Sequence, residues 1–238
     1  MTAAARAGAG GLAVALEEKR FGDAAPVLGP IAFALAPGER AALLGPSGVG
    51  KSTLLMLLAG LDPRFSGRIA RPEGRLAMIF QTPRLLPWRT LAENIALVPG
   101  AGGAERGRAL LAEVGLGEAA DLHPERVSLG MQRRAALARA LAVSPALMLM
   151  DEPLVSLDPD NARAMRALIL RALDASGAAA LISTHDRREA LALCDRVIEL
   201  GGAPARIVRD RRSPIPRDAR ADAARVAAVA EDWFSEHA

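Results

Sequence analysis

The amino-acid sequence predicts an α/β fold with a mostly parallel sheet that is covered by helices on both faces. Three short apolar runs, at residues 41–45, 146–152 and 178–184, are bounded by glycine, proline or charged residues. Their continuous hydrophobicity is typical of parallel strands that are buried on both faces. A helical pattern follows the first run and another precedes the third, and this alternation of strand and helix indicates a doubly wound core.

Length and composition allow one large α/β domain, or a core with a subdomain, and leave little room for two unrelated domains. The chain has 238 residues, of which 51% are hydrophobic and only 3% aromatic, so the core must consist of Leu, Ala, Val, Ile and Met. Basic and acidic residues number 30 and 27, and this near balance argues against an extended surface for nucleic acid.

Cysteine content and hydropathy predict a cytosolic protein. The single Cys194 excludes a disulfide within the chain, fits a reducing compartment and is expected to be a small buried side chain. No run approaches about 18 apolar residues, and residues 1–11 lack the apolar segment of a signal peptide. Neither His123 nor His237 belongs to a pattern of metal ligands. Any membrane role therefore requires a partner.

Helices and loops dominate the chain between the first and second predicted strands. Residues 83–143, which include the break "PGAGGAERG", are expected to form a helical insertion within a single domain at 12–205. Prolines and one-sided charge at 206–220 predict a surface extension, which begins a C-terminal segment at 206–238.

The segment "GPSGVGKS" at residues 45–52, the phosphate loop, fits the pattern G-x-x-x-x-G-K-[ST] at every fixed position and lies between a predicted strand and a predicted helix. Its glycines let consecutive backbone N–H groups turn inward around a phosphate, and the helix adds its positive end. Lys51 would place a charge on the β and γ phosphates, and Ser52 a hydroxyl on Mg²⁺. The expected nucleotide contacts from this part of the chain are Gly45, Pro46, Ser47, Gly48, Val49, Gly50, Lys51, Ser52 and Thr53.

Two predicted strands end in polar side chains that suit phosphate chemistry. Asp151 and Glu152 close the run at 146–152, and ligands of open α/β sheets bind at such carboxyl ends. Asp151 would hold Mg²⁺ through its water shell, and Glu152 would polarise the water that attacks a γ-phosphate. His185 follows the third strand at the same edge and would contact that phosphate; a purely structural histidine is the alternative.

The stretch "VSLGMQRRAALARAL" at 127–141 predicts a helix whose first turn suits an anion. Ser128 and the N–H groups around Gly130 and Met131 stand at the helix start, where the helix dipole is positive. A surface helix without a ligand is the alternative. We call residues 127–131 the Ser128 turn.

The order of these motifs resembles the ATP-binding subunit of ABC transporters. The resemblance covers about residues 14–201 and includes Gln81 in "MIFQ" and Asp158 in "SLDP". It implies a P-loop NTPase core with an N-terminal antiparallel β portion and an inserted helical subdomain. It also implies bound ATP and Mg²⁺, and a head-to-tail pair of cassettes in which the Ser128 turn of one subunit closes over the phosphate loop of the other.

Further roles follow from the resemblance, each beside a plainer alternative. Phe21 would stack on adenine, or lie in the core. Gln81 would contact Mg²⁺ and the attacking water, or cap a loop. Asp158 would contact the partner subunit, or serve only its own turn. Residues 85–88, "LLPW", resemble the surface that docks a helix of the membrane subunit, unless Trp88 is buried in the insertion.

The Ser128 turn departs from the family's usual Leu-Ser-Gly-Gly, because Leu129 replaces the first glycine. Ser128, Gly130 and Met131 would bind the γ-phosphate held by the other subunit. If residue 129 needs only a negative φ, its side chain can point outward at little cost. A positive φ would cost about 1–3 kcal/mol.

The resemblance implies an ATP-hydrolysing subunit that energises an importer at the cytoplasmic face of the inner membrane. The segment "FQTPRLLPWRTLAENI", the short chain and "RDRR" favour a small anion such as nitrate, a sulfonate or taurine. The implied partners are permease subunits, a second cassette forming a homodimer and, indirectly, a solute-binding protein, with no nucleic acid. The alternatives are an ABC ATPase that acts on nucleic acid or ribosomes, and a weakly hydrolysing regulatory cassette, which only Leu129 supports.

Overall fold

The computed structural model describes residues 10–100 and 102–235 of the chain. These residues form two compact units. The flanking unit comprises the described residues up to Glu73 and from Ala179 onward, and the middle unit comprises Gly74–Ala178. The predictions for residues 1–9 and for His237 lie outside the described residues.

Strands and helices alternate along much of the chain. The strands are β1 (Leu12–Glu18), β2 (Ile31–Leu35), β3 (Arg40–Leu44), β4 (Ser66–Ala70), β5 (Leu76–Ile79), β6 (Leu147–Asp151), β7 (Ala179–Thr184), β8 (Arg196–Gly201) and β9 (Arg206–Arg212). The helices are α1 (Lys51–Ala59), α2 (Leu91–Ala96), α3 (Gly103–Glu113), α4 (Leu129–Leu141), α5 (Pro159–Ser176), α6 (Arg187–Leu193) and α7 (Ala223–Ser235). None of the helices in the described residues is both long and apolar enough to cross a membrane.

The flanking unit contains a small antiparallel sheet, as the resemblance implied. Strand β1 lies between β2 and β4 and pairs antiparallel with both. Leu12, Val14 and Leu16 alternate with more exposed residues along β1 and are buried. This alternation of burial is typical of a strand that covers a core with one face.

The flanking unit also contains the parallel strands that carry the phosphate loop. Strand β3 lies between β7 and β8 and pairs parallel with both, and every residue of β3 and β7 is buried. Strand β9 adds to the free side of β8 in the antiparallel sense. The apolar runs predicted as strands at 41–45 and 178–184 are thereby confirmed to within one residue.

In the middle unit, β5 and β6 form a parallel pair, and the rest is mainly helical. Strand β6 corresponds to the run predicted at 146–152. Between the two strands the chain forms α2, α3, α4 and short 3-10 turns at Gly117–Ala119 and Pro124–Arg126. Its core is aliphatic, as the composition requires, with Leu91, Ile95, Leu111, Leu137 and Ile169 fully buried.

The C-terminal segment, for which prolines and charge predicted a surface extension, is an ordered and partly buried part of the flanking unit. Residues 206–212 form β9, and the segment then packs its apolar side chains, with Ile215 and Phe234 each only 1% exposed. Asp195 accepts hydrogen bonds from Arg217 and Arg220. Burial raises the pKa of Asp195, but these arginines outweigh it and bring the pKa to about 2. Charge therefore fastens this segment to the flanking unit.

Candidate functional site

Steric limits shape the phosphate loop, which connects β3 to α1. Gly48 and Gly50 have φ of 80° and 111°, which side-chain-bearing residues rarely adopt. A Cβ on Gly50 would lie 2.6 Å from Cδ2 of Leu28, which is fully buried. A Cβ on Gly45 would lie 2.8 Å from the backbone oxygen of Leu200. The flanking unit leaves no room for a side chain at either glycine.

Lys51 is the first residue of α1 and turns back over the phosphate loop. Its side chain is 5% exposed, and Nζ donates hydrogen bonds to the backbone oxygens of Gly45 at 2.7 Å and Pro46 at 3.1 Å. The first turn of α1 contains no acidic residue. A buried ammonium and an uncompensated helix N-terminus thus stand at one loop, an arrangement that favours a polyphosphate.

The register of β3 against β7 brings His185 to the same sheet edge as the phosphate loop. Leu44 is paired with Thr184, so Gly45 and His185 each directly follow a paired residue. His185 is exposed. This placement agrees with the expected contact to a γ-phosphate, which stays a prediction.

Phe21 lies at the surface of the flanking unit and not in its core. Its ring is 49% exposed and helps to line a cleft of about 630 Å³, together with Arg64 and Phe65. The buried Nζ of Lys19, which is ion-paired with Asp62 at 2.6 Å, lies 4.5 Å from the ring centroid. The core alternative is therefore wrong, and the ring is available for stacking.

The carboxyl ends of β5 and β6 bring the polar residues of the middle unit together. Ile79 is paired with Met150, so Gln81, Asp151 and Glu152 all follow the same end of the parallel pair. Asp151 is 7% exposed, whereas Gln81 is exposed.

Glu152 has a φ of 45°, a left-handed conformation that costs a residue with a Cβ about 1–3 kcal/mol. The next residue is Pro153, which further restricts the backbone of Glu152. Backbone strain thus coincides with the glutamate that is expected to polarise water. The sequence "MDEP" contains no signal that predicts this conformation.

The Ser128 turn is the unstrained start of helix α4. The Ser128 hydroxyl accepts a hydrogen bond from the N–H of Met131 at 3.3 Å and caps the helix. Leu129 is the first helical residue, is not among the residues with positive φ, and has a side chain that is 45% exposed. Of the two alternatives for Leu129, the structure therefore has the inexpensive one, in which the side chain points outward.

The start of α5 lies beside the Ser128 turn. A Cβ on Gly130 would lie 3.7 Å from Oδ1 of Asn161, an ordinary contact. Asp158 caps α5 by accepting hydrogen bonds from the N–H of Asn161 at 3.0 Å and its Nδ2 at 2.6 Å. These bonds lower the pKa of Asp158 and keep its carboxylate ionised. Asp158 thus serves its own turn, while its exposed position leaves a contact with a partner possible.

The predicted site residues therefore divide between the two units. The flanking unit contains Phe21, the phosphate loop with Thr53, and His185; the middle unit contains Gln81, Asp151, Glu152, Asp158 and the Ser128 turn. Among the described residues, no group of three or more His, Cys, Asp or Glu side chains could hold a metal ion. The predicted Mg²⁺ ligands are Ser52, Gln81 and Asp151, and only Asp151 is of one of these four residue types.

Comparison with known proteins decides the family. The family model described as "ABC transporter" matches residues 28–155, which include the phosphate loop, the Ser128 turn and the acidic strand end. The chain belongs to the ABC transporter family. It is accordingly an ATP-binding subunit whose ATP hydrolysis is coupled to transport.

Similar proteins cover nearly the whole chain. Aliphatic sulfonates import ATP-binding protein SsuB 1 of Pseudomonas aeruginosa (strain UCBPP-PA14) is 41% identical over 85% of this chain and 88% of its own length. SsuB 2 of Paracoccus denitrificans is 43% identical over 87% and 85%, and SsuB 1 of Xanthomonas axonopodis pv. citri 40% identical over 94% and 95%.

A solved structure shares the fold. The ATP-binding cassette MJ0796, in a dimeric post-hydrolysis state bound to ADP and Pi, superposes with a TM-score of 0.74 at 24% identity. The alignment covers 87% of this chain and 99% of that one. The α/β P-loop fold predicted from the sequence is thereby confirmed.

In this ABC cassette, two arginines of α4, of which Arg133 is buried, hold the segments that flank the polar strand ends. Arg133 donates a hydrogen bond to the backbone oxygen of Val155, in the loop after Glu152. Arg139 donates to the backbone oxygens of Pro83 and Arg84, each at 2.8 Å, just after Gln81. Burial lowers the pKa of both arginines. No motif of the sequence identifies these two arginines, although arginines on a largely buried helix face are a usable signal.

The surface expected to dock a membrane subunit is exposed, and hydrogen bonds hold its backbone in place. Trp88 is 68% exposed, so its burial in the insertion is excluded. Asn94, which is 1% exposed, accepts a hydrogen bond from the N–H of Leu86 at 2.7 Å and donates to the backbone oxygens of Leu86, Arg89 and Thr90. One buried amide thus shapes the turn that presents Trp88. No motif of the sequence identifies Asn94 as a residue that shapes this turn.

Proposed function

We propose that two copies of the chain hydrolyse Mg²⁺-ATP at shared sites and thereby energise import of an aliphatic sulfonate through a membrane permease. The three relatives described above are named for sulfonate import, and each aligns over most of its own length. A small anion also agrees with the cargo class expected from the sequence. The permease and, indirectly, a solute-binding protein would be the partners, with the cassette at the cytoplasmic face of the membrane.

The observation that carries the proposal is the construction of the phosphate loop. Gly45 and Gly50 have no room for a Cβ, and the buried Lys51 ammonium lies against the loop. Backbone N–H groups of the loop would hold the β-phosphate, while Lys51 would move from the loop carbonyls to the β and γ phosphates. Phe21 would stack on the adenine.

The predicted Mg²⁺ ligands all have side chains with an oxygen atom. The Ser52 hydroxyl, the Gln81 amide oxygen and the Asp151 carboxylate would hold Mg²⁺, directly or through water, since this ion prefers oxygen ligands. Mg²⁺ would neutralise charge that develops on the phosphates. Asp151 lies at the end of a fully buried strand, which fixes the position of its carboxylate.

The residues of the strand ends would organise the attacking water. The Glu152 carboxylate would accept a proton from this water, and Gln81 would orient it. A ring N–H of His185 would donate a hydrogen bond to a γ-phosphate oxygen. Positioning and charge neutralisation account for most catalysis of phosphoryl transfer, so rigid placement of these groups matters more than covalent chemistry.

The second copy would complete each site through its Ser128 turn. The hydroxyl oxygen of Ser128 accepts a hydrogen bond from the N–H of Met131. The hydroxyl group can therefore still donate a hydrogen bond to an oxygen of the γ-phosphate bound by the partner. The N–H groups of Gly130 and Met131 and the helix dipole of α4 would add to this contact. Because Leu129 is unstrained in the isolated chain, its presence does not favour the regulatory alternative.

Substitution of Glu152 tests the hydrolytic assignment. In the assembled transporter, Glu152→Gln should lower phosphate release at least about 100-fold, because the amide cannot accept the proton. Binding of a fluorescent ATP analogue should be retained. Glu125→Gln, an exposed glutamate in the same unit, should leave both quantities unchanged.

Unchanged phosphate release in Glu152→Gln would refute the role of this residue. The cargo is tested separately, by stimulation of ATP hydrolysis in proteoliposomes with an alkanesulfonate or with nitrate on the side of the binding protein. Stimulation by nitrate alone would refute the proposed sulfonate.

A further inference from the structure

We propose that the C-terminal helix α7 positions His185, an inference that rests on the proposed role of His185 at the γ-phosphate. Helix α7 packs on α6, and α6 begins two residues after His185. The whole arrangement lies within the flanking unit.

The backbone on both sides of His185 is tied to the first turn of α6. The Asp186 carboxylate accepts hydrogen bonds from the N–H groups of Arg188 at 2.7 Å and Glu189 at 3.3 Å. The Thr184 hydroxyl donates to the Glu189 carboxylate at 2.7 Å and accepts from the N–H of Asp186 at 3.0 Å. A displacement of α6 is therefore transmitted to His185, which lies between the two tied residues.

Two adjacent arginines of that first turn reach α7. The guanidinium of Arg187 lies 4.8 Å from the ring centroid of Phe234, within the distance of a cation–π contact. Arg188 Nη2 lies 3.2 Å from Glu231 Oε1. A cleft of about 550 Å³ is lined by His185, Asp186, Arg187, Arg188, Ala230 and Glu231. The histidine and helix α7 thus border one space.

Helix α7 is itself fixed to the flanking unit by other contacts. Val226, Ala230 and Phe234 recur every four residues and are at most 4% exposed, so one face of the helix is buried. At its C-terminal end, the guanidinium of Arg211 on β9 lies 4.3 Å from the ring centroid of Trp233 and donates to the Trp233 backbone oxygen at 2.9 Å. The helix therefore connects β9 to the segment that carries His185.

Phe234→Leu tests the proposal, because leucine keeps an apolar side chain but removes the ring under Arg187. Phe33→Leu is the matched control, since Phe33 lies on β2 of the same unit and is 2% exposed. The readout in the isolated full-length chain is the ring C–H resonance of His185, assigned by its loss in His185→Asn. Phe234→Leu should shift this resonance, whereas Phe33→Leu should not.

The second readout is ATP hydrolysis by the assembled transporter. Phe234→Leu should lower kcat about fivefold with an unchanged KM for ATP, because a misplaced group slows the chemical step without affecting nucleotide binding. The control should keep kcat within about twofold. The charge exchange Arg188→Glu with Glu231→Arg should restore kcat relative to either single variant.

Equal effects of the two phenylalanine variants on the His185 resonance and on kcat would overturn the proposal and leave α7 a merely structural helix. Absence of ATP hydrolysis in the unaltered chain would instead count against the proposed function, while the resonance comparison would still decide the positioning role.

Discussion

The phosphate loop and the Ser128 turn both contain glycine where a triphosphate is expected, yet their own units place different demands on them. At Gly50 the backbone has a φ of 111°, and a Cβ would lie 2.6 Å from a buried leucine. At Gly130 the backbone is helical, and a Cβ would meet its nearest neighbour at 3.7 Å. Leu129 occupies the adjoining position without strain.

The constraint on each segment has a different origin. The fold of the flanking unit alone excludes side chains from the phosphate loop. The middle unit alone tolerates them in the Ser128 turn, so any requirement for glycine there must come from outside the unit, which the proposed partner copy would supply. Folding stability should therefore respond to substitution of the loop, and turnover to substitution of the turn.

Gly50→Ala should have the largest effect. The Cβ forces an unfavourable φ and overlaps with Leu28, which together should cost about 3 kcal/mol of folding stability. ATP binding should be lost, because the loop amides no longer converge. Denaturant unfolding and binding of a fluorescent ATP analogue measure the two effects. Wild-type stability in this variant would show that the flanking unit does tolerate a side chain at Gly50.

Gly130→Ala should separate turnover from stability. The free energy of unfolding should stay within about 0.5 kcal/mol of wild type, since the site is helical and open. Turnover of the assembled transporter should fall about tenfold, because the methyl group stands between the α4 amides and the partner's phosphate, and tenfold equals about 1.4 kcal/mol in the barrier. A marked loss of stability with normal turnover would show that the requirement for glycine at position 130 comes from the middle unit itself.

Gly48→Ala should distinguish conformation from sterics within the phosphate loop. Gly48 has a φ of 80°, but a Cβ there would meet nothing within 4 Å. Only the left-handed conformation is penalised, so stability should fall by about 1 kcal/mol, well below the cost of Gly50→Ala. Thermal unfolding of the two variants side by side provides the measurement, and equal losses would show that crowding at Gly50 is unimportant.

Leu129→Gly should have the smallest effect. Glycine at the start of α4 should lower the free energy of unfolding by up to about 0.5 kcal/mol, because the first helical turn is less sensitive than the helix interior. Removal of the exposed side chain from the proposed partner contact should raise turnover about twofold. Steady-state ATP hydrolysis at saturating ATP tests this expectation, and a fall in turnover would mean that Leu129 contributes to closure of the pair.

Local motifs carried most of what the sequence could predict. The phosphate loop, the acidic strand end and the three buried strands depend on neighbouring residues, and each lies within one residue of its predicted place. The hydrogen-bond partners of Asn94 are only four to eight residues away, but no motif there predicts its burial. The arginines of α4 could not be placed from local motifs, since their hydrogen-bond partners are 22 to 56 residues away. Whether a polar side chain is exposed or buried depends on such tertiary contacts.

In the C-terminal segment, the many charged residues obscure the sequence signals of a packed strand and helix. Alternation along "RIVRDRR" is that of an edge strand, but the prolines that follow and the excess of arginine resemble a solvated tail. The apolar residues of α7 repeat every four positions, which is the signal of a helix with one buried face. The left-handed conformation of Glu152 could not be predicted for a different reason, because no sequence pattern indicates a strained residue.

The chain contains only two lysines, and both are buried. Lys19 is ion-paired with Asp62, and Lys51 donates hydrogen bonds to the phosphate loop. Amine-directed cross-linkers and acylating dyes will consequently find no accessible side-chain target on the folded cassette. Modification of Lys51 by such a reagent thus becomes a report of local opening at the phosphate loop, and bound nucleotide should suppress this modification.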